Sequence, residues 1–210
     1  MGFDEVSPDF IRKLYERSRG IPWTILRTKR TLVRELSLDD IDDIYRLHED
    51  PEIQKNNPPL FPSREDEIQF QKAYIEQMYG FYGYGFWLVY NRIPQKIIEN
   101  PALPYIPPYR KEAGELIGRA GLNHRDGFQE PELGYLFSAI ARGKGIAFEV
   151  CSAILDYAHE ILGFSMINSF IYPDNKRSIR FIEKLGFTFR EKYDKDEKLL
   201  YRFTKKLTDS

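Results

Sequence analysis

The chain has 210 residues, 42% hydrophobic and 30% charged, enough for one full core and little room for a second domain. Its 31 Lys and Arg against 32 Asp and Glu leave a formal net charge of -1, so no general field gathers nucleic acid or an anionic membrane. One cysteine, Cys151, excludes an internal disulfide and a multi-thiolate metal site, and His48, His124 and His159 stand too far apart for zinc spacing, so no metal is expected.

Residues 1–20 read as a short helical extension with Phe10, Ile11 and Leu14 as a docking stripe, ended by Gly20 and Pro22. The N-terminus lacks an apolar run of signal-peptide length and no later stretch is long enough to span a bilayer, which reads as a cytoplasmic protein without a membrane partner. Thr31 to Leu36 alternates as a strand, and Ser37-Leu-Asp-Asp40 opens a helix toward His48. Ser63-Arg-Glu-Asp66 opens a longer helix through Ile68, Phe70, Tyr74, Ile75 and Met78, which Gly80 stops, and a strand from Tyr84 to Tyr90 follows. Five prolines, Pro94, Pro101, Pro104, Pro107 and Pro108, mark 91–114 as a loop inserted in a hairpin. Glu115 to His124 and Glu132 to Ser138 are strands joined by a turn at Arg125 to Pro131. Ile146 to Leu162 carries Ala147, Val150, Cys151, Ile154, Leu155, Ala158, Ile161 and Leu162 at helical spacing, and Gly163 closes it. Met166 to Tyr172 reads as a buried strand, Asp174 or Asn175 caps a helix to Leu185, and two strands follow Phe187. This order gives one α/β domain over 1–210, with residues 1–27 as the extension.

Between the strand ending near Ser138 and the main helix lies Arg142-Gly143-Lys144-Gly145-Ile146-Ala147. Its glycines allow close backbone approach, and its amides, at a helix N-terminus beside Arg142 and Lys144, can face a pyrophosphate; a tight structural turn is the alternative. Neither the P-loop spacing nor a GxGxxG dinucleotide turn is present.

The segment RGKGIA resembles the signature of the GNAT N-acetyltransferases, in which Gln or Arg is followed by two residues, Gly, one residue, and Gly or Ala; Arg142, Gly145 and Ala147 fill those positions. LIGRAGL at 116–122, ELGYLFS at 132–138 and PDNKRSIRFIEKLGF at 173–187 extend the likeness in family order, and the wording most resembles the RimJ/RimL-like branch. The resemblance implies a GNAT fold: a central, mostly antiparallel mixed sheet of about seven strands flanked by about four helices. It also implies acetyl-CoA as co-substrate, with Leu136, Phe137 and Ser138 on the pantetheine arm and Asn175, Ser178 and Arg180 reaching the cofactor. The acceptor it implies is a primary amine, most of all a protein N-terminus, with a small amine such as a polyamine or antibiotic as alternative, or a silent coenzyme A-binding module.

An alkyl ammonium has a pKa about 10 and must lose a proton before attack. Glu132 matches the family's carboxylate base. Where many relatives carry a Tyr acid this chain has Ile182, so Tyr135, Tyr172 or Tyr201 substitutes or coenzyme A leaves as a thiolate stabilised by its surroundings. Cys151, on the apolar helix face, reads as core. Acceptor contacts are expected from His48 to Phe61, from the aromatic stretch Tyr79 to Trp87 and from the insertion, in a monomer or homodimer.

Overall fold

The computed structural model describes residues 8–93, 112–195 and 198–208. Eight strands form one sheet in the order β1-β2-β3-β4-β5-β6-β8-β7. They are β1 Thr24–Arg27, β2 Thr31–Arg34, β3 Phe86–Arg92, β4 Ala113–Asn123, β5 Glu132–Phe137, β6 Met166–Ile171, β7 Thr188–Lys195 and β8 Lys198–Lys206. All neighbours run antiparallel except β5 and β6, which are parallel. Six α-helices accompany them among the described residues: α1 Pro8–Ser18, α2 Ile41–His48, α3 Pro51–Asn56, α4 Arg64–Tyr74, α5 Ile146–Glu160 and α6 Lys176–Lys184.

The mixed α/β sheet is the expected one, with a strand more than read. Thr24 to Arg27, assigned to the extension, pairs with β2 in the register Leu26↔Val33 and Arg27↔Leu32. Four residues give no usable periodicity, and the turn that reverses them is held locally, Thr28 N–H donating to Thr31 O at 2.9 Å. The docking stripe of α1 is also corrected. Ile11 and Leu14 are 57% and 52% exposed, and the side chain of Phe10 lies outside the described residues. Polar contacts fasten the helix instead: Arg17 donates twice to the buried Glu35, at 3.0 and 2.7 Å, and Trp23 Nε1 donates to Lys13 O.

Both serine caps form. Ser37 and Asp40 make a capping box on a 3₁₀ turn, Leu38–Asp40, that leads into α2, and Ser63 accepts from Asp66 N at the start of α4. Gly80 does not end that helix; a π-helical segment, Ile75–Tyr82, carries the chain on to Gly83, whose φ of 76° lies in the left-handed region. The separate helix α3 begins where Asp50 caps Pro51. The five prolines of the insertion fall in 94–111, outside the described residues, while its margins close a ladder through Arg92↔Ala113.

Alternation along β5 divides the core. Leu133 and Phe137 join the main cluster, where Val150, Cys151, Ile154 and Ala158 of α5 are fully buried, whereas Leu136 packs with Leu47 of α2 and Ile53 of α3. Burial pushes the Cys151 thiol well up, which makes it a core side chain and not a nucleophile. No described helix is long and apolar enough to cross a membrane, and no described His, Cys, Asp or Glu cluster could hold a metal.

Candidate active site

Strands β5 and β6 share one register pair, Glu132↔Asn168, and then part. Ser138 N–H donates to Ile117 O at 2.9 Å, and antiparallel bonding repeats every second residue, so Leu136 and Ser138 turn their backbone groups toward β4. Leu133, Tyr135 and Phe137 turn theirs into the gap. Ser169 Oγ donates to the outward carbonyl of Leu133 at 3.2 Å, and Arg142 Nε donates to that of Phe137 at 3.0 Å. The N–H and C=O of Tyr135 and the N–H of Phe137 are left on the open edge.

The chain enters α5 through two glycines in the left-handed region, Gly143 and Gly145, each with φ of 73°. Gly145 caps the helix without a side chain, so the amides of Ile146, Ala147 and Phe148 face outward without a partner of the kind a serine cap supplies. Arg30, from the β1–β2 turn, clamps this end by donating to Lys144 O and to Glu149 Oε2, both at 2.7 Å. Burial works to raise the Glu149 carboxyl, but Thr28 and Arg30 outweigh it and hold it below the usual range.

Arg142 is committed inward. Besides Phe137 O it pairs with Asp50. The same carboxylate accepts from Ala139 N at 2.9 Å and, as the cap of α3, from Glu52 N at 3.0 Å. Burial acts to raise Asp50, and the bonds from Arg142, Ala139 and Glu52 overcome it and keep the carboxyl below its ordinary value. Asp50 therefore ties α3 to the strand-to-helix loop. The added positive charge expected from Arg142 is thereby neutralised.

Gap, loop and α3 enclose a cleft of about 770 Å³. Glu132 stands in it with its side chain 16% exposed, Oε2 accepting from Arg125 Nε at 2.7 Å. The Arg125 guanidinium rests 4.1 Å from the centre of the Phe170 ring. Burial dominates and raises the Glu132 carboxyl; Arg125 pulls the other way without reversing it. Asn123, opposite Glu132 in the ladder, accepts from Tyr74 Oη at 2.9 Å, and burial pushes that phenol up to about 12, so it stays a donor.

Of the residues read from the sequence, Glu132, Leu136, Phe137, Arg142, Gly143, Gly145, Ala147, Asn175 and Ser178 line the cleft. Four do not. Ser138 lines a smaller neighbouring hollow, Lys144 is exposed, the side chain of Ile146 is buried in the core, and Arg180 is exposed on α6 away from the lining. Asn175 caps α6 by accepting from Ser178 N at 3.1 Å. Ile182 is fully buried, so a side chain there points into the core; Tyr135 and Tyr172 line the cleft and Tyr201 does not. Of the expected acceptor segments, His48 to Phe61 contributes Glu52, Ile53, Asn56, Asn57 and Pro58, whereas Phe86 is the sole member of the aromatic stretch at the wall; Tyr79, Tyr84 and Trp87 pack the core. Sequence reasoning missed Asp50, Arg30 and Arg125. Asp50 before Pro51 is a readable helix start, but its bonds to a loop 89 residues away are not.

A family model described as an acetyltransferase (GNAT) domain matches residues 30–188. The uncharacterized protein YkkB of Bacillus subtilis (strain 168) is 35% identical over 81 residues, a match that spans 38% of this chain and 47%, about half, of that protein. The uncharacterized N-acetyltransferase p20 of Bacillus licheniformis is 27% identical over 77% of this chain and 81% of its own length. An acetyltransferase structure from Agrobacterium tumefaciens str. C58 superposes with a TM-score of 0.60 at 26% identity, covering 84% of this chain and 92% of the other. Two structures from Vibrio cholerae share the fold: a putative ribosomal-protein-serine acetyltransferase (TM-score 0.64, 15% identity, 88% and 98% covered) and a spermidine N-acetyltransferase variant (0.61, 16%, 85% and 95%).

Proposed function

The chain belongs to the GNAT acetyltransferase family, and from that premise we propose that it transfers the acetyl group of acetyl-CoA to a protein N-terminal amine, with Glu132 as general base. The observation that carries this reading is a mostly buried carboxylate standing where β5 and β6 part, in the same cleft as the uncapped amides of α5.

The residues present fit the co-substrate. Amides at Ile146, Ala147 and Phe148, reached over glycines with no Cβ to obstruct them, suit a pyrophosphate, and the open edge at Tyr135 and Phe137 suits an amide-bearing arm as a substitute strand partner. When bound, acetyl-CoA supplies the acetyl group as a thioester and is released as the thiol. Glu132 takes the proton that the acceptor nitrogen must lose; its raised pKa makes it a stronger base than a solvated glutamate. Arg125 and the backbone N–H of Phe170 both donate to this carboxylate and fix its orientation in the cleft. The outward N–H of Phe137 supplies a fixed dipole to the carbonyl being attacked. Tyr135 lines the same cleft as a protonated phenol, held by its bond to Ser178 O at 3.4 Å and packed on Phe181, and burial raises its pKa.

Glu132→Gln keeps the shape of the side chain and removes the base. Acetyl transfer should fall by about 10²–10⁴-fold while calorimetric titration of acetyl-CoA stays unchanged. An unchanged rate with intact binding removes Glu132 from the reaction; a chain inert toward every amine yet binding coenzyme A is a silent module.

A further inference from the structure

Two carboxylates line the cleft, and each already faces an arginine: Glu132 with Arg125 at 2.7 Å, and Glu52 with Arg177 at 3.6 Å. Lys184 adds a cation to the same wall, its ammonium 5.2 Å from the Phe148 ring. Among the described lining residues there is no carboxylate left over for a second positive charge on the acceptor. Arg125, moreover, is a fixed cation. Its side chain is 21% exposed and packs on Phe170, whose ring meets Phe128 and Tyr193, each at 5.1 Å. A guanidinium resting on the Phe170 ring, itself wedged by two further rings, and bonded to Glu132 is held in place when an acceptor enters.

We propose that Arg125 sets acceptor specificity: the site takes an amine with no second positive charge nearby, such as a peptide N-terminus followed by neutral or acidic residues, and rejects polyamines. The inference rests on Glu132 as the base. Before transfer, a second ammonium meets a neutral Arg125–Glu132 pair. When Glu132 takes the acceptor's proton, its negative charge and the positive charge of the reacting nitrogen vanish together, and what the enzyme then presents to a second ammonium is Arg125 without its counter-ion. A cation about 6 Å away, at an effective dielectric of about 20, is then disfavoured by about a hundredfold in rate.

The test is acetyl transfer from acetyl-CoA, at pH 8 and low salt, to a peptide library randomised over its first three positions and mixed with spermidine, with products identified by mass spectrometry. Wild type should use peptides lacking Lys and Arg at positions two and three about a hundredfold better than those carrying them, and better than spermidine by a similar factor. Arg125→Gln should narrow both ratios to about tenfold or less, and Arg125→Lys should retain them. Wild type that uses cationic and neutral acceptors alike overturns the proposal without any variant, as does a ratio that survives in a folded Arg125→Gln protein. Glu132→Gln separates the two readings: an undiminished rate there removes the base, whatever the acceptor preference.

Discussion

The two ends of the cleft are made from different materials. At the loop end the chain presents backbone: uncapped amides at the start of α5, an open strand edge at Tyr135 and Phe137, and two glycines in the left-handed region. At the other end it presents side chains gathered from distant segments, Glu132 and Arg125 from either side of a turn, Asn123 and Tyr74 from a strand and a helix 49 residues apart. Backbone recognition suits a ligand that is always the same. Side-chain recognition suits an acceptor that differs from one relative to the next, and a substitution there alters choice before it alters shape.

Gly145→Asp strikes the loop end hardest. The position has φ of 73° and only Arg30 Nη2, at 3.8 Å, near a new Cβ, so the chain has room for the side chain at a backbone cost of about 1 kcal/mol. The added carboxylate faces the amides proposed to hold a phosphate. Acetyl-CoA affinity should fall about a hundredfold or more by calorimetry, with Gly145→Ala far milder; equal losses in the two would mean that backbone strain, and not charge, is responsible.

Asp50→Ala tests whether the two ends are joined. It removes the cap of α3, the acceptor of Ala139 N and the counter-ion of a mostly buried Arg142, which together should cost about 2 kcal/mol in denaturant unfolding and weaken acetyl-CoA binding as well. The pH dependence has a definite sign. Because folding lowers the Asp50 pKa, its contribution is complete above the unfolded value, near 3.8, and is lost as pH falls through the lower folded value. Wild type should lose this margin in acid and Asp50→Ala should have none to lose.

How much of this was legible follows the same division. Glycines and a helix start carry their meaning locally, so the loop at 142–147, the long helix after it and the place of Glu132 on the strand before it could be read from residue order. The orientation of Leu136 and Ser138 could not, because it depends on the register with β4, and a shift of one residue turns every backbone group around. The direction of Arg142 depended on Asp50, 92 residues away. β1 was too short to show a period.

The acid limb of the rate profile sharpens the view of the acceptor end. Burial holds the Glu132 carboxyl above its ordinary 4.5, so the rate should fall tenfold per pH unit below a midpoint lying above that value. Removing the Arg125 pull should move the midpoint higher still, and a midpoint that stays put in Arg125→Gln would show that the pair is not coupled.

The smallest expected effect is the most discriminating about α6. Arg177 and Arg180 lie one turn apart on the same short helix, and the family pattern draws attention to Arg180, yet the cleft is lined by Arg177. Arg180→Ala should leave acetyl-CoA affinity and turnover within about twofold, as for a solvated surface charge. Arg177→Ala releases Glu52 from a 3.6 Å pair between two half-exposed side chains, which is worth little to stability, but it gives the cleft a carboxylate without a partner. That variant should improve the use of cationic acceptors by a fewfold while Arg180→Ala does not. A response to Arg180 equal to that of Arg177 would mean that charge near the cleft mouth acts as a diffuse field, and that the pairing of individual carboxylates with individual arginines is not what sorts acceptors.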